Sequence, residues 1–472
     1  MALPASAGDP LILTLAPVPI LRARIRSELA TDFPPGSPAR FSRAPGRLDV
    51  MGGIADYTGS LVCQATLDRA AAVALSPRSD RQLQVFSFNL HDENLPFTFR
   101  IPLDSLADRS VAELAKEFSE PGRKWAGYIA GCLKILQEHG LVDLRSPSLA
   151  GMNLALYSTV PLGAGVSSSA AIEVATMMNL CGHLGLLDGR VEAIQAAAMC
   201  QEVENRIVGA PCGIMDQVAS CCGREDSLLR LLCQPHQLQN PLPFPEGVRA
   251  VGIDSRVKHS VGGIEYGRTR CAAFMAHRMI LAKMGQIGEA SGKTLQGDPT
   301  GGYLATLAPD DYKRFFRPYL PEWVEGKDFL AEYGSTMDTV TKVDPAMRYP
   351  VQHAADHHVL EAQRVRNFVA FLDAASAPPA GSEERDNLLN KAGHLMYASH
   401  LSYTNDAMQG APECDLLVQL VREREFAGLY GAKITGGGCG GTVAILCDRS
   451  SGADEALAAI LDEYQRRSGN KP

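Results

Sequence analysis

Val160-Pro161-Leu162-Gly163-Ala164-Gly165-Val166-Ser167-Ser168-Ser169-Ala170 is the stretch on which the reading of this chain turns. A strand-like run, residues 152–160, leads into it, and an apolar helical pattern follows over about 170–187. Glycine lets the main chain turn tightly and approach a ligand closely. Free N–H groups at the start of a helix favour an anion. Three serine hydroxyls can bond phosphate oxygens or a bound Mg²⁺. The loop lacks Gly-Lys-Ser/Thr and so differs from the common P-loop. Taken alone it would also suit an ordinary strand-to-helix turn with a serine cap.

The 472 residues are enough for two or three domains with a substantial core. A 46% apolar and 21% charged composition is that of a globular protein. The formal net charge of −8 argues against broad attraction to nucleic acid or anionic membrane, so neither is expected as a partner. No basic start precedes the apolar stretch near the N-terminus, and no run reaches membrane-spanning length. Twelve cysteines lie scattered without Cys-x-x-Cys spacing, which suits reduced thiols and a cytoplasmic location.

Strand and helix patterns alternate from Pro38 to about Pro245, for example residues 82–89 and then 128–138. Residues 248–254 read as a strand opening a second half. Long helices are expected over 268–284 and 359–374, with an insertion of short helices at 285–350 between them. Residues 374–384 read as a surface loop. A strand–loop–strand pattern at 433–446 and a helix at 452–467 close the chain. This mixture points to an α+β architecture. His353, His357 and His358 have no matching carboxylate or cysteine pattern and read as a polar helix start rather than a metal site.

Two further glycine-rich segments flank the central loop. Residues 43–59 carry Arg47 and Asp56 on what reads as a turn-rich stretch, where polar groups face a cleft or solvent. Residues 433–442 place five glycines in the six positions after Thr435. Packing gains nothing from such a run, so it is either a flexible hairpin loop or a ligand loop.

Three motifs stand in order: Pro45-Gly46-Arg47-x-Asp49, Pro161-x-Gly163-x-Gly165-x-Ser167-Ser168-Ser169 and Lys433-x-Thr435-Gly436-Gly437-Gly438-x-Gly440-Gly441. They resemble the motifs of the GHMP kinases, a superfamily that includes galactokinases, homoserine kinases and mevalonate kinases. Residues 200–217, which include Glu204 and Pro211-Cys212-Gly213-Ile214-Met215-Asp216, resemble the galactokinase segment carrying a magnesium glutamate and a catalytic aspartate. Residues 47–57, 252–263 and 430–438 are similar to those of the L-arabinokinases within that group. The resemblance implies a ribosomal S5 domain 2-like N-terminal domain (38–246) and a ferredoxin-like C-terminal domain (247–472, with the insertion 285–350). It places the active site in a cleft between them.

It also implies roles. Gly163, Ala164, Gly165, Val166, Ser167, Ser168 and Ser169 would wrap the ATP phosphates, with Trp125 near the adenine. Ser169 and Glu204 would hold Mg²⁺, a hard ion suited to oxygen donors. Asp216 would accept or align the sugar hydroxyl proton, with Arg47 beside it. Asp56, Tyr266 and the Gly213 backbone would touch the sugar. Galactokinases carry a glutamate and a histidine where this chain has Gly53 and Ile54. Those two positions are therefore expected to border a site without polar partners for a hexose 6-hydroxyl, and Gly53→Glu with Ile54→His is expected to narrow the preference for L-arabinose over galactose. The implied activity is ATP- and Mg²⁺-dependent anomeric phosphorylation of a monosaccharide, L-arabinose first and galactose second. A catalytically silent sugar sensor is the reading from another class, against which the retained Arg47, Ser169, Glu204 and Asp216 argue.

Overall fold

The computed structural model describes residues 16–234, 236–258, 264–292 and 297–472. Two compact units emerge. The first comprises residues up to Arg47, Thr66–Leu162 and Ser167–Cys222; the second comprises Leu48–Ala65, Gly163–Val166 and Gly223–Pro472. This division differs from the 38–246 and 247–472 boundaries expected from sequence. Residues 48–65, the loop 163–166 and residues 223–246 all go with the second unit.

In the first unit, helix α1 (Pro17–Glu28) precedes β1 (Arg40–Met51), β2 (Leu61–Pro77), β3 (Gln82–Ser87) and β4 (Thr98–Pro102). Then come α2 (Lys124–Glu138), β5 (Met152–Ser158), α3 (Ser168–His183), α4 (Ala193–Glu202) and α5 (Met215–Cys222). β3 pairs antiparallel with β4 and parallel with β5, in register from Leu83↔Met152 to Ser87↔Leu156. β5 continues the sheet antiparallel to the later half of β2, Ala71↔Ser158 to Pro77↔Met152. The β5 run Met-Asn-Leu-Ala-Leu-Tyr-Ser is buried at all but Tyr157, as a central strand covered on both faces requires. α1 lays Leu21 and Ile25 on Ala72, Ala74, Phe86 and Ala155.

In the second unit, the first residues of β2 pair with β6 (Ser227–Leu232). Strand β7 (Val248–Asp254) and helix α6 (Ile264–Ala290) follow. After the insertion come α7 (Val351–Ala374), α8 (Glu383–Asn405), α9 (Pro412–Arg422), β8 (Leu429–Ile434), β9 (Thr442–Asp448) and α10 (Ser451–Ser468). β8, β9 and β7 form an antiparallel sheet in that order. β8 is buried throughout and β9 up to its last residue, beneath one large apolar core that includes Ile253, Leu417, Ile434, Ile445 and Ile460. No helix among the described residues is long and apolar enough to cross a membrane. All twelve cysteines are free thiols.

Three expectations need correction. The stretch read as turn-rich is mostly strand: Arg43 to Asp49 lie inside β1, and Arg47, Asp49 and Asp56 are buried rather than facing solvent. Helix α7 begins at Val351, eight residues before the expected start. His353, His357 and His358 therefore lie within it, and His357 and His358 are fully buried. Helix α6 runs into the expected insertion as far as Ala290.

Candidate active site

Within the first unit, β1 and the start of α5 bring Arg47 and Asp216 together. The buried guanidinium donates Nε–H (3.0 Å) and Nη2–H (2.8 Å) to the same oxygen, Asp216 Oδ1. Among the described residues no group donates to Oδ2, and the Asp216 side chain retains 21% exposure. The pair is thus anchored at one oxygen and open at the other. Gly213, in the segment leading to α5, is buried.

Glu204 lies on a widened, π-type turn after α4, a deviation frequent at functional sites. Its Oε2 accepts from Gln217 Nε2 at 2.8 Å. Burial, helped by the nearby Asp216 charge, pushes its carboxyl up to about 7, against hydrogen bonds from Ser169 and Cys212 and the charge of Lys124. Glu173, which the sequence reading missed, lies fully buried on α3. It accepts a 3.4 Å bond from the same Gln217 amide, and its Oε1 has no partner among the described residues. Burial and the neighbouring Glu204 push its carboxyl up as well.

Glu204, Glu173 and Asp216 act on one another, with Lys124 acting on Glu204 and Arg47 paired to Asp216. The hydrogen-bonded oxygen donors of Ser169 and Glu204 suit Mg²⁺, which takes one or two protein ligands with water and phosphate oxygens. Without an ion, Glu204 binds its proton more tightly folded than unfolded. It thus favours the fold fully below the usual carboxylate range, and that contribution is lost as pH rises through about 7. Glu204→Gln is accordingly expected to raise the melting temperature of the metal-free protein at pH 8 and to leave it nearly unchanged at about pH 4. Melting curves at the two pH values check this.

The N-terminus of α3 starts at Ser168. Ser167 precedes it in a left-handed conformation (φ 62°), contributes no capping bond, and keeps a buried Oγ without a partner among the described residues. The first-turn N–H groups are thereby left to an anion. Beside them is a cavity of about 180 Å³ lined by Trp125, Tyr128, Leu90, Leu156, Leu162, Ile172 and the hydroxyls of Ser168 and Ser169. An aromatic, mostly apolar slot next to an anion-binding helix start has the chemistry of a nucleotide site. Tyr128 and Leu162 were missed in sequence, though Tyr128 stands one helical step from Trp125.

In the second unit, the glycine-rich loop after β8 packs on residues 163–166. Thr442 donates to the Ala164 carbonyl at 2.8 Å, and a Cβ at Gly441 would lie 2.7 Å from that oxygen. The glycine run is thus a close-approach loop rather than a loose hairpin. Asp49 and Lys433, both fully buried, form a 2.7 Å ion pair. Asp49 also accepts from Gln64 at 2.7 Å, and its N–H donates to Thr435 Oγ1 at 2.7 Å. The sequence displayed Asp49 and Lys433 in separate motifs without showing that they meet.

Asp56 opens a short 3₁₀ turn and accepts the Tyr57 N–H on its own Oδ1 (2.9 Å). Tyr57 stands edge-on to Tyr266 of α6, with ring centroids 6.1 Å apart. Thr58 Oγ1 donates to the Ala55 carbonyl, so it accepts from His358 Nδ1–H, and His358 Nε2 accepts the Tyr57 hydroxyl, both at 3.2 Å. Burial pushes His358 well below its usual range, in keeping with that neutral tautomer. His357 is likewise pushed down by burial, to about 3, and meets Ser402 at 3.0 Å. The histidines are core polar groups, and no group of three or more His, Cys, Asp or Glu side chains among the described residues is arranged to hold a metal ion.

Gly53 and Ile54 do not lie as expected. Ile54 belongs to the apolar core, at 1% exposure and φ 51°. A Cβ at Gly53 would overlap Tyr403 Oη and Asp49 Oδ2. The space beside position 53 is filled by protein, so a glutamate cannot simply be restored there. Residues 259–263 of the stretch that resembles the L-arabinokinases lie outside the described residues.

The GHMP kinases N terminal domain matches residues 127–224, the GHMP kinases C terminal domain 385–466, and the galactokinase galactose-binding signature 31–77. Galactokinase of Chloroflexus aggregans is 32% identical over 92% of this chain and 90% of its own length. The chain belongs to the GHMP kinases, among the sugar kinases of galactokinase type. L-arabinokinase of Arabidopsis thaliana is 35% identical over 91% of this chain, which spans 45% of that relative's length. The fold of this GHMP kinase is similar to that of Lactococcus lactis galactokinase, with TM-score 0.70, 20% identity and 96% of each chain covered. It is also similar to that of Methanococcus jannaschii mevalonate kinase, with TM-score 0.53, 14% identity, and 92% and 96% covered. The expected α+β fold with GHMP N- and C-terminal domains is thereby established. ATP is the phosphate donor of this family.

Proposed function

We propose that the chain phosphorylates the anomeric hydroxyl of L-arabinose, giving L-arabinose 1-phosphate and ADP. The observation that carries the phosphoryl-transfer part is Asp216, held by Arg47 at Oδ1 with Oδ2 left to receive a proton. In this reading the sugar's C1 hydroxyl donates to Oδ2, its oxygen bonds to the γ-phosphorus of ATP, and the bond to the β–γ bridging oxygen breaks. The proton goes to Asp216. Arg47 holds the carboxylate in place through its two hydrogen bonds to Oδ1 and offsets charge on the transferred group. Positioning and charge compensation do most of the work in such transfers.

Ser169 and Glu204 would hold Mg²⁺, which neutralises phosphate charge when bound. Gly163 to Ser169 and the start of α3 would bind the phosphates, with Trp125 and Tyr128 against the base. Asp56, Tyr266 and the Gly213 backbone would orient the sugar. Support for the pentose comes from the greater identity to the plant L-arabinokinase and from the 52–58 turn. There the positions of the family's polar pair are taken by a glycine packed under Tyr403 and by a core isoleucine. The galactose-binding signature over 31–77 favours galactose as the second reading.

The test is the product. With ATP, Mg²⁺ and L-arabinose, ³¹P NMR should show one sugar phosphate coupled to the anomeric proton. Phosphate on another carbon, or ATP hydrolysis without sugar phosphate, would refute the assignment.

A further inference from the structure

We propose that Arg270 and Asp338 form a positioning pair through which the 285–350 insertion fixes the Asp56–Tyr57 turn for sugar binding. The inference rests on the reading that this turn and Tyr266 meet the sugar.

Asp338 lies in the irregular part of the insertion, yet its carboxylate is saturated. Oδ1 accepts from Arg270 Nη2 (2.8 Å) and the Val340 N–H (3.1 Å). Oδ2 accepts from Arg270 Nε (2.8 Å), the Thr341 N–H (3.1 Å) and Thr341 Oγ1 (2.6 Å). The side chains of the pair retain only 6% and 3% exposure. Arg270 sits on α6, four residues beyond Tyr266 and so on the same helix face.

The guanidinium that Asp338 orients lies over the Tyr57 ring, 5.0 Å from its centroid, and 5.8 Å from that of Phe274. Tyr57 is the residue whose N–H bonds the Asp56 carboxylate and whose ring edge meets Tyr266. From the other side, His358 of α7 holds the Tyr57 hydroxyl and Thr58. The turn is therefore gripped by two elements, and one grip originates in the insertion.

A buried ion pair is weak evidence for stability, because desolvation offsets the attraction. Its fork geometry does fix direction, since two parallel N–H···O bonds set the plane of the guanidinium. That orientation is what places the guanidinium carbon over the Tyr57 ring. Arg270 and Asp338 act through Tyr57 and are positioning residues, not groups that touch the sugar.

The test compares Arg270→Lys, and the double variant Arg270→Met with Asp338→Leu, against the full-length protein. Lysine keeps the charge but loses the fork and the planar stack. The double variant removes both charges together, so no unpaired buried ion is left to unfold the chain. The readouts are KM for the preferred sugar, KM for ATP, kcat, and hydrogen exchange of residues 55–60.

Both variants should raise sugar KM roughly tenfold, the scale of weakening one hydrogen bond to the sugar by about 1–1.5 kcal/mol. KM for ATP and kcat should stay within about twofold, and exchange at 55–60 should accelerate. Unchanged exchange and unchanged sugar KM in the folded double variant would overturn the proposal, as would equal rises in the KM values for sugar and ATP. If the unmodified chain phosphorylates no sugar, the sugar-kinase reading fails, while exchange at 55–60 still decides whether the pair holds the turn.

Discussion

Asp216→Asn is expected to lower kcat by roughly 10²–10⁴-fold while leaving KM for ATP near its original value. The geometry makes the reason specific. Arg47 places two N–H groups on one carboxylate oxygen. An asparagine that keeps its oxygen toward Arg47 must turn its NH₂ toward the sugar hydroxyl, where it can accept no proton. The opposite rotamer sets NH₂ against a guanidinium. Steady-state rates with saturating sugar check this, alongside nucleotide binding by titration. A variant within a few-fold of the unmodified rate would remove Asp216 from the chemistry.

The second large effect is on stability. Gly53→Ala should destabilise the protein by about 3–5 kcal/mol, the combined scale of overpacking and of disturbing a buried ion pair. The added carbon would overlap Tyr403 Oη, which donates to the Gly436 carbonyl at 2.8 Å, and Asp49 Oδ2, which holds Lys433. Removing the hydroxyl by Tyr403→Phe leaves the nearest tyrosine ring carbon 3.0 Å away, so Gly53→Ala should cost less in that background. Urea denaturation of the four proteins in the cycle measures the coupling. Equal costs of Gly53→Ala in both backgrounds would show that Tyr403 is not what fills the space.

What the sequence made legible follows from locality. The strand–loop–helix of residues 152–183, the β7 strand and the helix after residue 451 are set by neighbouring residues, and they stand where the patterns place them. The 43–49 stretch was misread because Pro45 and Gly46 signal a turn locally, whereas pairing with β2 makes the segment a strand. The first turns of α7 were read as a polar helix start, although Asp356, His357 and His358 are buried. Their partners, Tyr312 and Arg317, Ser402, and Tyr57 with Thr58, are distant in sequence. The same limit hid the Asp49–Lys433 pair, whose members stand 384 residues apart.

The role expected for Ile54 failed for a related reason. Aligning a family motif assigns a position, but it does not say which way the side chain points. Here it enters the core. Under the proposed function, selectivity would therefore rest on the whole 52–58 turn and what grips it, rather than on two exchanged side chains.

The central claim is the sugar. Measuring kcat/KM for L-arabinose and D-galactose side by side, at saturating ATP and magnesium, tests it most directly. A hexose hydroxymethyl left without hydrogen-bond partners should cost roughly 1–3 kcal/mol, so L-arabinose should be preferred by about ten- to hundredfold. Equal or better use of D-galactose would contradict the account.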